Sequence, residues 1–491
     1  MRWGAPILIL CCWLGAAAHA ADLPAAVDLV LSGHRVDPGA VSIVVQAVGA
    51  PKPVLSHLPD TPRNPASVMK LVTTWTALQL LGPTYTWPTE VYFLGERRGP
   101  KLDGDLALKG YGDPFLVLEN FWKLLRAVHR LGVDDIAGNL VLDDSYFDVR
   151  EDDPGELDGQ PFRTYNVLPD ALLVNFEAVE FQVQADAEHH RVELTAEPPL
   201  PDLHIENRIK LADGPCRGYH DGVSFAVVDA GLAHAVLGGQ FPASCLSYGF
   251  ARAVLEPDTY AYGLFELLWK EIGGSFHGKL RRGDIPEGME PALTWRSPPL
   301  DEIIRSVNKF SNNVMARQLL YTLGAVRGGA PGTRSKGVAV IRDFLASQGL
   351  DVGPLVMDNG AGLSREGRVS ARLLADLLLR AARSPYAPEF ISSLSLAGLD
   401  GTTRVAFDDL SDMAAMHVKT GTLDQVSALA GYVRAGDGQD YVVVVLLNSR
   451  DADRGPGHEL DRALLSWVAG LGTKGAPGAD LGVKTAEAAR Q

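Results

Sequence analysis

The chain has 491 residues, more than a single hydrophobic core of ordinary size organises, so two or three domains are expected. Hydrophobic residues make up 46% and charged residues 21%, the balance of a globular protein, and the formal charge of −15 argues against nucleic acid as a partner. The 12 histidines are scattered, with no zinc-type Cys/His cluster and no HExxH, so neither a metal nor another cofactor is expected.

Residues 1–20 read as a secretory signal peptide. Arg2 gives a positive start, an apolar run extends from Pro6 through Leu14, and Ala18-His19-Ala20 is a small-x-small cleavage pattern before Ala21. The run is too short to span ~30 Å of hydrocarbon, so an exported, soluble protein is expected. Export leaves Cys216 and Cys245, both in turn-like flanks (GPCRG and PASCL). An oxidising compartment permits them to pair, and a disulfide closing this loop would contribute ~3 kcal/mol in the chain-entropy model. Two free buried thiols are the alternative.

Residues 40–49 read as a strand. A helix is expected from Ser67 to Leu81, with Val68, Leu71, Val72, Trp75, Leu78 and Leu81 at spacings of three and four, stopped by Gly82-Pro83. From Tyr85 to Ser247 short β-like runs (EVYFLG, DLALKGYGD, NLVLDDSYFD, VEFQVQA, RVELTAE) alternate with Gly, Pro and Asp, around one helical stretch, VLENFWKLLRAVHRLG. Helices are expected at Tyr260 to Gly273, Leu300 to Lys309 and Asn312 to Leu323. Strands follow at 414–421, 426–435 and 440–448, the last two joined by a hairpin turn, and a helix from Glu459 to Leu471 closes the fold. The reading divides the chain into an α/β domain formed by 21–84 with 253–472, a mostly β insert at 85–252, and a disordered tail at 473–491.

Ser67-Val68-Met69-Lys70 is an S-x-x-K motif at the start of an apolar-faced helix. Positions i and i+3 share a face, so the Lys70 amine reaches the Ser67 hydroxyl. Serine is a weak nucleophile until a base takes its proton, and lysine serves as that base when burial and neighbouring cations lower its pKa. The motif alone is weak, because Ser306-Val307-Asn308-Lys309 matches it too; that match lies inside the Leu300–Lys309 helix with no special loop around it and is read as structural. Ser311-Asn312-Asn313 is an S-x-N motif between two helices, and helix N-caps favour the same residues. Lys419-Thr420-Gly421, leading into Thr422, ends a strand, where a cation and a hydroxyl can hold a carboxylate and Gly421 admits a close backbone approach.

The order of the three motifs is the stronger signal. With S-x-x-K early, S-x-N between later helices and K-T-G on a late strand, the chain resembles the low-molecular-mass class C penicillin-binding proteins, the DacB-type D-alanyl-D-alanine carboxypeptidase/endopeptidases. NPASVMKLVTTWTALQLLGPTYTWPTEVYFLG is similar to their nucleophile region. LALKGYGDPFL and YNVLPDALLVNFEAVEF resemble their insert, and GAGLSREGRVS and LAGLDGTTRVAF resemble the segments between S-x-N and K-T-G. Asn312, Asn359 and Ala361 stand where the family often has Asp, Asp and Ser.

The resemblance implies a penicillin-binding/β-lactamase-like transpeptidase domain, α/β (α+β), with a large mostly β insert. It implies acyl-enzyme chemistry on peptidoglycan peptides: Ser67 as nucleophile, Lys70 as base, Ser311 and Lys419 passing a proton to the leaving amine, and Asn313 on the peptide amide. Lys419 and Thr420 would engage the terminal carboxylate, and the Ser67 and Thr422 N–H groups would form the oxyanion hole. Covalent capture of β-lactams and a periplasmic location are implied as well. Asp143, Asp144, Asn166 and Asn175 are read as structural. A homodimer is left open, and so are a β-lactamase or esterase of the same chemistry and a non-catalytic wall-binding protein.

Overall fold

The computed structural model describes residues 23–472 apart from 151, 230–232, 287 and 411–415. The expected signal peptide and the tail at 473–491 lie outside the described residues. Among those described, no helix is long and apolar enough to cross a membrane.

A six-stranded sheet carries the first body, in the order Ser395–Leu396, Met416–Leu423, Val426–Arg434, Asp440–Asn448, Val41–Ala47, Leu55–His57. Every pairing is antiparallel, with Val44 opposite Val444 and Ile43 opposite Val445. Successive side chains point to opposite faces, and both faces are covered. Val442, Val444 and Leu446 pack with Leu71, Leu319 and Leu374 of a helical layer. Val443, Val445 and Leu447 pack with Leu31 and Leu460 of the helices Ala25–Gly33 and Pro456–Ala469. A strand covered on both sides has no polar face, so YVVVVLL reads as an unbroken apolar run. At about 1.5–3 kcal/mol per buried aliphatic side chain, these two interfaces dominate the stability of this body.

The helix Met69–Leu81 runs through the middle of the helical layer and is buried from Met69 through Leu78. Two of its buried threonines find backbone acceptors: Thr74 Oγ1 donates to Lys70 O at 2.7 Å and Thr73 Oγ1 to Gly360 O at 2.6 Å. It stops at Gly82, whose φ of 84° suits glycine.

Among the described residues the insert holds three further sheets. The largest is built on the hairpin of Pro88–Arg98 with Lys101–Gly110. Five short strands, from His204–Asn207 to Ser247–Arg252, were not distinguished in the sequence, because few of them alternate cleanly. A disulfide joins Cys216 to Cys245 in this region.

The insert also extends further than the sequence reading placed it. Strand Leu293–Arg296 pairs with the start of Pro88–Arg98, with Leu293 opposite Val91, and Ser275–Phe276 and Leu280–Arg282 join the same sheet. The helix Pro257–Glu271 buries Leu264, Phe265 and Leu268 against Leu124 and Leu125 of the insert helix Leu118–Arg130. The chain therefore returns to the first body after Arg296, not at 253. An amphipathic pattern identifies a helix but not the sheet it will cover.

Candidate active site

Three chain segments far apart in sequence converge at one end of the six-stranded sheet. The first is the turn before the central helix. Ala66–Val68 is a 3₁₀ turn that runs straight into Met69–Leu81, and Ala66 has a φ of 43°. A non-glycine residue at positive φ is strained and persists only where its surroundings hold it. Here Asn64 Oδ1 accepts from Ala66 N at 2.9 Å, Asn64 Nδ2 donates to Ser364 O, and Asn448 Oδ1 accepts from Asn64 N at 2.7 Å. Neither Asn64 nor Asn448 belongs to any of the three motifs. Each is a lone polar residue whose role depends on a contact between opposite ends of the chain.

The Lys70 side chain points back along the helix to Ser67. Its Nζ has three neighbours: Ser67 Oγ at 2.9 Å, Asn313 Oδ1 at 2.6 Å and the Ala361 carbonyl at 2.7 Å. Burial, then the charges of Lys419 and Arg317, hold its pKa well below the ordinary lysine value. A neutral amine has two N–H groups and one lone pair. Two of its neighbours are pure acceptors and the third is a hydroxyl, so the neutral form directs its lone pair at Ser67. The Ala361 carbonyl is presented by a loop braced by Asn359, which accepts from Ala361 N and donates to Leu363 O. Gly360 and Gly362 have φ of 71° and 74°, and a Cβ at Gly362 would lie 1.8 Å from Ala66 O. A G-A-G run was the available sequence signal for this loop.

The second segment is the gap between helices Leu300–Lys309 and Asn313–Gly328. Ser311 has a φ of 56°. Asn312 caps the second helix, accepting from Met315 N at 3.0 Å, a task its amide oxygen performs as a carboxylate would. The competing S-x-x-K match is structural. Asn308 is buried and donates to Ser393 Oγ at 2.8 Å, and buried Lys309 pairs with Asp400 at 2.5 Å.

The third segment is the strand Met416–Leu423. Its inner neighbour pairs along its whole length, whereas the outer strand reaches only His417 and Val418, which leaves the edge from Lys419 onward without a described strand partner. Lys419 Nζ donates to Ser311 Oγ at 2.9 Å and to Thr420 O at 2.7 Å, and burial lowers its pKa to about 7. Thr420 Oγ1 lies 3.2 Å from Thr402 Oγ1, and Thr422 is exposed. Gly421 abuts the Ser67 turn: a Cβ there would lie 2.5 Å from Pro65 O and 2.9 Å from Ser67 N. The glycine is therefore required by the Ser67 turn itself, whereas the sequence reading tied it to substrate.

The insert braces this arrangement along one face of Asn313–Gly328. Buried Arg317 donates through Nη1 to Asn166 O and Val167 O, and Gln318 exchanges hydrogen bonds with the Asp170 backbone. Tyr321 OH donates to Asp152 at 2.7 Å. The other polar residues read as structural include Asn175, which donates to Tyr260 OH at 2.8 Å, and Asp143, which pairs with Lys109 at 2.8 Å. Among the described residues no group of three His, Cys, Asp or Glu is placed to hold a metal ion.

The profile of the D-Ala-D-Ala carboxypeptidase 3 (S13) family matches residues 23–469. A D-alanyl-D-alanine carboxypeptidase of Actinomadura sp. (strain R39) is 30% identical over 442 residues, covering 86% of this chain and 80% of that protein. The carboxypeptidase DacB of Haemophilus influenzae is 24% identical over 392 residues, 78% of this chain and 80% of that one. The crystal structure of Haemophilus influenzae penicillin-binding protein 4 shares the fold, with a TM-score of 0.78 at 21% identity, covering 90% of this chain and 99% of that one.

Proposed function

The chain belongs to the D-Ala-D-Ala carboxypeptidase 3 (S13) family and is a serine-type hydrolase of that class, and from that premise we propose that Ser67 is its nucleophile toward D-alanyl bonds of peptidoglycan stems. The single observation that carries this reading is the trio of neighbours around Lys70, which directs a neutral amine's lone pair at Ser67 Oγ.

Ser67 Oγ attacks the carbonyl carbon of the penultimate D-Ala as Lys70 takes its proton. The N–H groups of Ser67 and Thr422 receive the developing oxyanion. Asn313 has committed its Oδ1 to Lys70, so its Nδ2 is the group left for substrate, and it donates to a backbone carbonyl. The substrate lies along the unpaired edge from Lys419 to Thr422, as an added strand. Lys419, while charged, and Thr420 hold the terminal carboxylate, and the Ser311–Lys419 pair relays a proton to the departing D-Ala nitrogen. Water then hydrolyses the ester.

A β-lactam combines a carboxylate with a strained amide and acylates Ser67 by the same path. A periplasmic site of action fits the apolar leader and the disulfide. The test is incubation with a fluorescent penicillin, followed by peptide mass mapping. An adduct on Ser67 that Ser67→Ala abolishes is expected, and a folded protein that takes no label would overturn the reading. A label shed within seconds would make the protein a β-lactamase instead.

A further inference from the structure

The loop at 397–403 follows the short outer strand Ser395–Leu396, and the sequence reading gave none of its residues a role. Three of them are tied down. Asp400 Oδ1 accepts from Leu396 N at 2.7 Å, and its Oδ2 pairs with buried Lys309. Gly401 lies against the Lys309 carbonyl, where a Cβ would come within 2.5 Å of the oxygen. Thr403 is buried, and its Oγ1 donates to Leu396 O at 3.1 Å and to Asp400 O at 3.0 Å. Thr402 stands between these anchored residues and is itself exposed. A side chain so placed is held by its neighbours and not by any partner in the core.

The loop brings Thr402 to the strand that carries the third motif. Thr402 Oγ1 lies 3.2 Å from Thr420 Oγ1, and among the described residues neither hydroxyl has another hydrogen-bond partner. Two hydroxyls carry two hydrogens, and the contact between them uses one. The other is left for a ligand. Next in the chain to Thr420, Lys419 Nζ spends two N–H groups on Ser311 Oγ and Thr420 O, so its ammonium form keeps a third. An arriving carboxylate has two oxygens, each able to accept from one hydroxyl, and its charge turns both hydrogens outward and strengthens both bonds.

We propose that Thr402 is a substrate-binding residue that shares the terminal carboxylate with Thr420, and that this hydroxyl pair selects substrates whose leaving group carries a carboxylate. The proposal rests on the hydrolase reading above and adds to it a residue outside the three motifs. It also gives the Lys309–Asp400 pair a place in the cleft. That pair joins the residue two before Ser311 to the residue two before Thr402, so both sides of the carboxylate pocket hang on one buried ion pair.

The experiment compares two substrates that deliver the same acyl group to Ser67. Diacetyl-L-Lys-D-Ala-D-Ala releases D-Ala with its carboxylate, and the thiophenyl ester of diacetyl-L-Lys-D-Ala releases a thiolate without one. Thr402→Val keeps the shape of the side chain and removes its hydroxyl. In this variant the ratio of kcat/KM for the peptide to that for the thioester should fall about tenfold, the effect of losing one hydrogen bond to a charged group. Thr402→Ser, which restores the hydroxyl, should recover most of the ratio. Acylation by fluorescent penicillin, which carries a carboxylate, should slow in Thr402→Val along with the peptide. Thioester hydrolysis shows in each preparation that the variant is folded, and Thr402→Ala gives the same comparison with a smaller side chain. An unchanged ratio in Thr402→Val and Thr402→Ala, or equal losses on both substrates, would overturn the proposal. If wild-type protein neither hydrolyses the thioester nor takes the penicillin, the hydrolase reading has failed, whereas an unchanged ratio with both activities intact removes only the role of Thr402.

Discussion

Lys70 Nζ lies 2.6 Å from Asn313 Oδ1, so the helix that follows Ser67 and the helix opened by the second motif meet at one hydrogen bond. The amide is neutral, which matters as much as its position. A carboxylate at 313 would stabilise the ammonium form of Lys70 and raise its pKa.

Asn313→Asp is therefore expected to lower kcat/KM at pH 7 by ~100-fold and to move the acid limb of the pH–rate profile up by ~1–2 units. Asn313→Ala should lower activity without moving that limb upward. An unshifted limb in Asn313→Asp would falsify the assignment of Lys70 as the base.

The two lysines need opposite charge states. Lys70 must be neutral to accept a proton, and its pKa lies well below the ordinary value, so kcat/KM rises with pH as Lys70 loses its proton. Lys419 must be charged to hold a carboxylate, and its pKa in the free protein is about 7, so kcat/KM falls as pH rises through that value. A bell-shaped profile is expected, with the alkaline limb set by Lys419. Lys419→Arg stays charged to far higher pH, so its peak should be lower, for want of lysine's geometry, and its alkaline limb should be gone between pH 7 and 9.

Gly421→Ala tests the packing of strand against turn. A methyl there meets backbone atoms of Pro65 and Ser67, which cannot rotate away as a side chain would. Penicillin acylation should slow by ~100-fold, the cost of displacing a reacting atom by a fraction of an ångström to an ångström. Circular dichroism should remain native. Wild-type acylation rates in this variant would mean that the close contact relaxes without moving Ser67.

Lys309 and Asp400 tie the residue next to the Ser311 turn to the loop that carries Thr402. Asp400→Asn leaves a buried ammonium without its counter-charge and should cost about 3 kcal/mol by denaturant titration. Lys309→Met/Asp400→Asn should recover much of that loss, because the stranded charge is gone. Additive losses in the double variant would contradict a direct coupling.

Asp461 is fully buried in the last helix, and desolvation pushes its carboxyl to about 8. The folded protein thus keeps a proton that the unfolded chain releases near 3.8, and stability declines as pH rises from that value toward 8. Asp461→Asn cannot ionise and should be more stable than wild type at pH 7, on the order of 3 kcal/mol, with the advantage vanishing below pH ~4. Thermal melts at pH 4 and pH 7 measure this directly.

The sequence by itself determined the elements whose cause is local. Leu300–Lys309 and Asp440–Asn448 have the bounds that their periodicity and turn residues imply, and Ser67 and Lys70 share a helix face because three residues make nearly one turn. The chemistry of the motifs was legible because residue type and order were enough to suggest it. The sequence already set Ser306–Lys309 aside, as a match inside a helix with no special loop around it, and the tertiary structure showed what holds it: Ser393 and Asp400. Tertiary structure alone decided that the third partner of Lys70 is a backbone carbonyl, that of Ala361, which no side chain announces. The return of Leu293–Arg296 to the insert, and the pairing of Asn64 with Asn448 across 384 positions, depend on which surfaces meet once the sheets have formed. Periodicity records that a face will be buried, and only the folded packing fixes what lies against it.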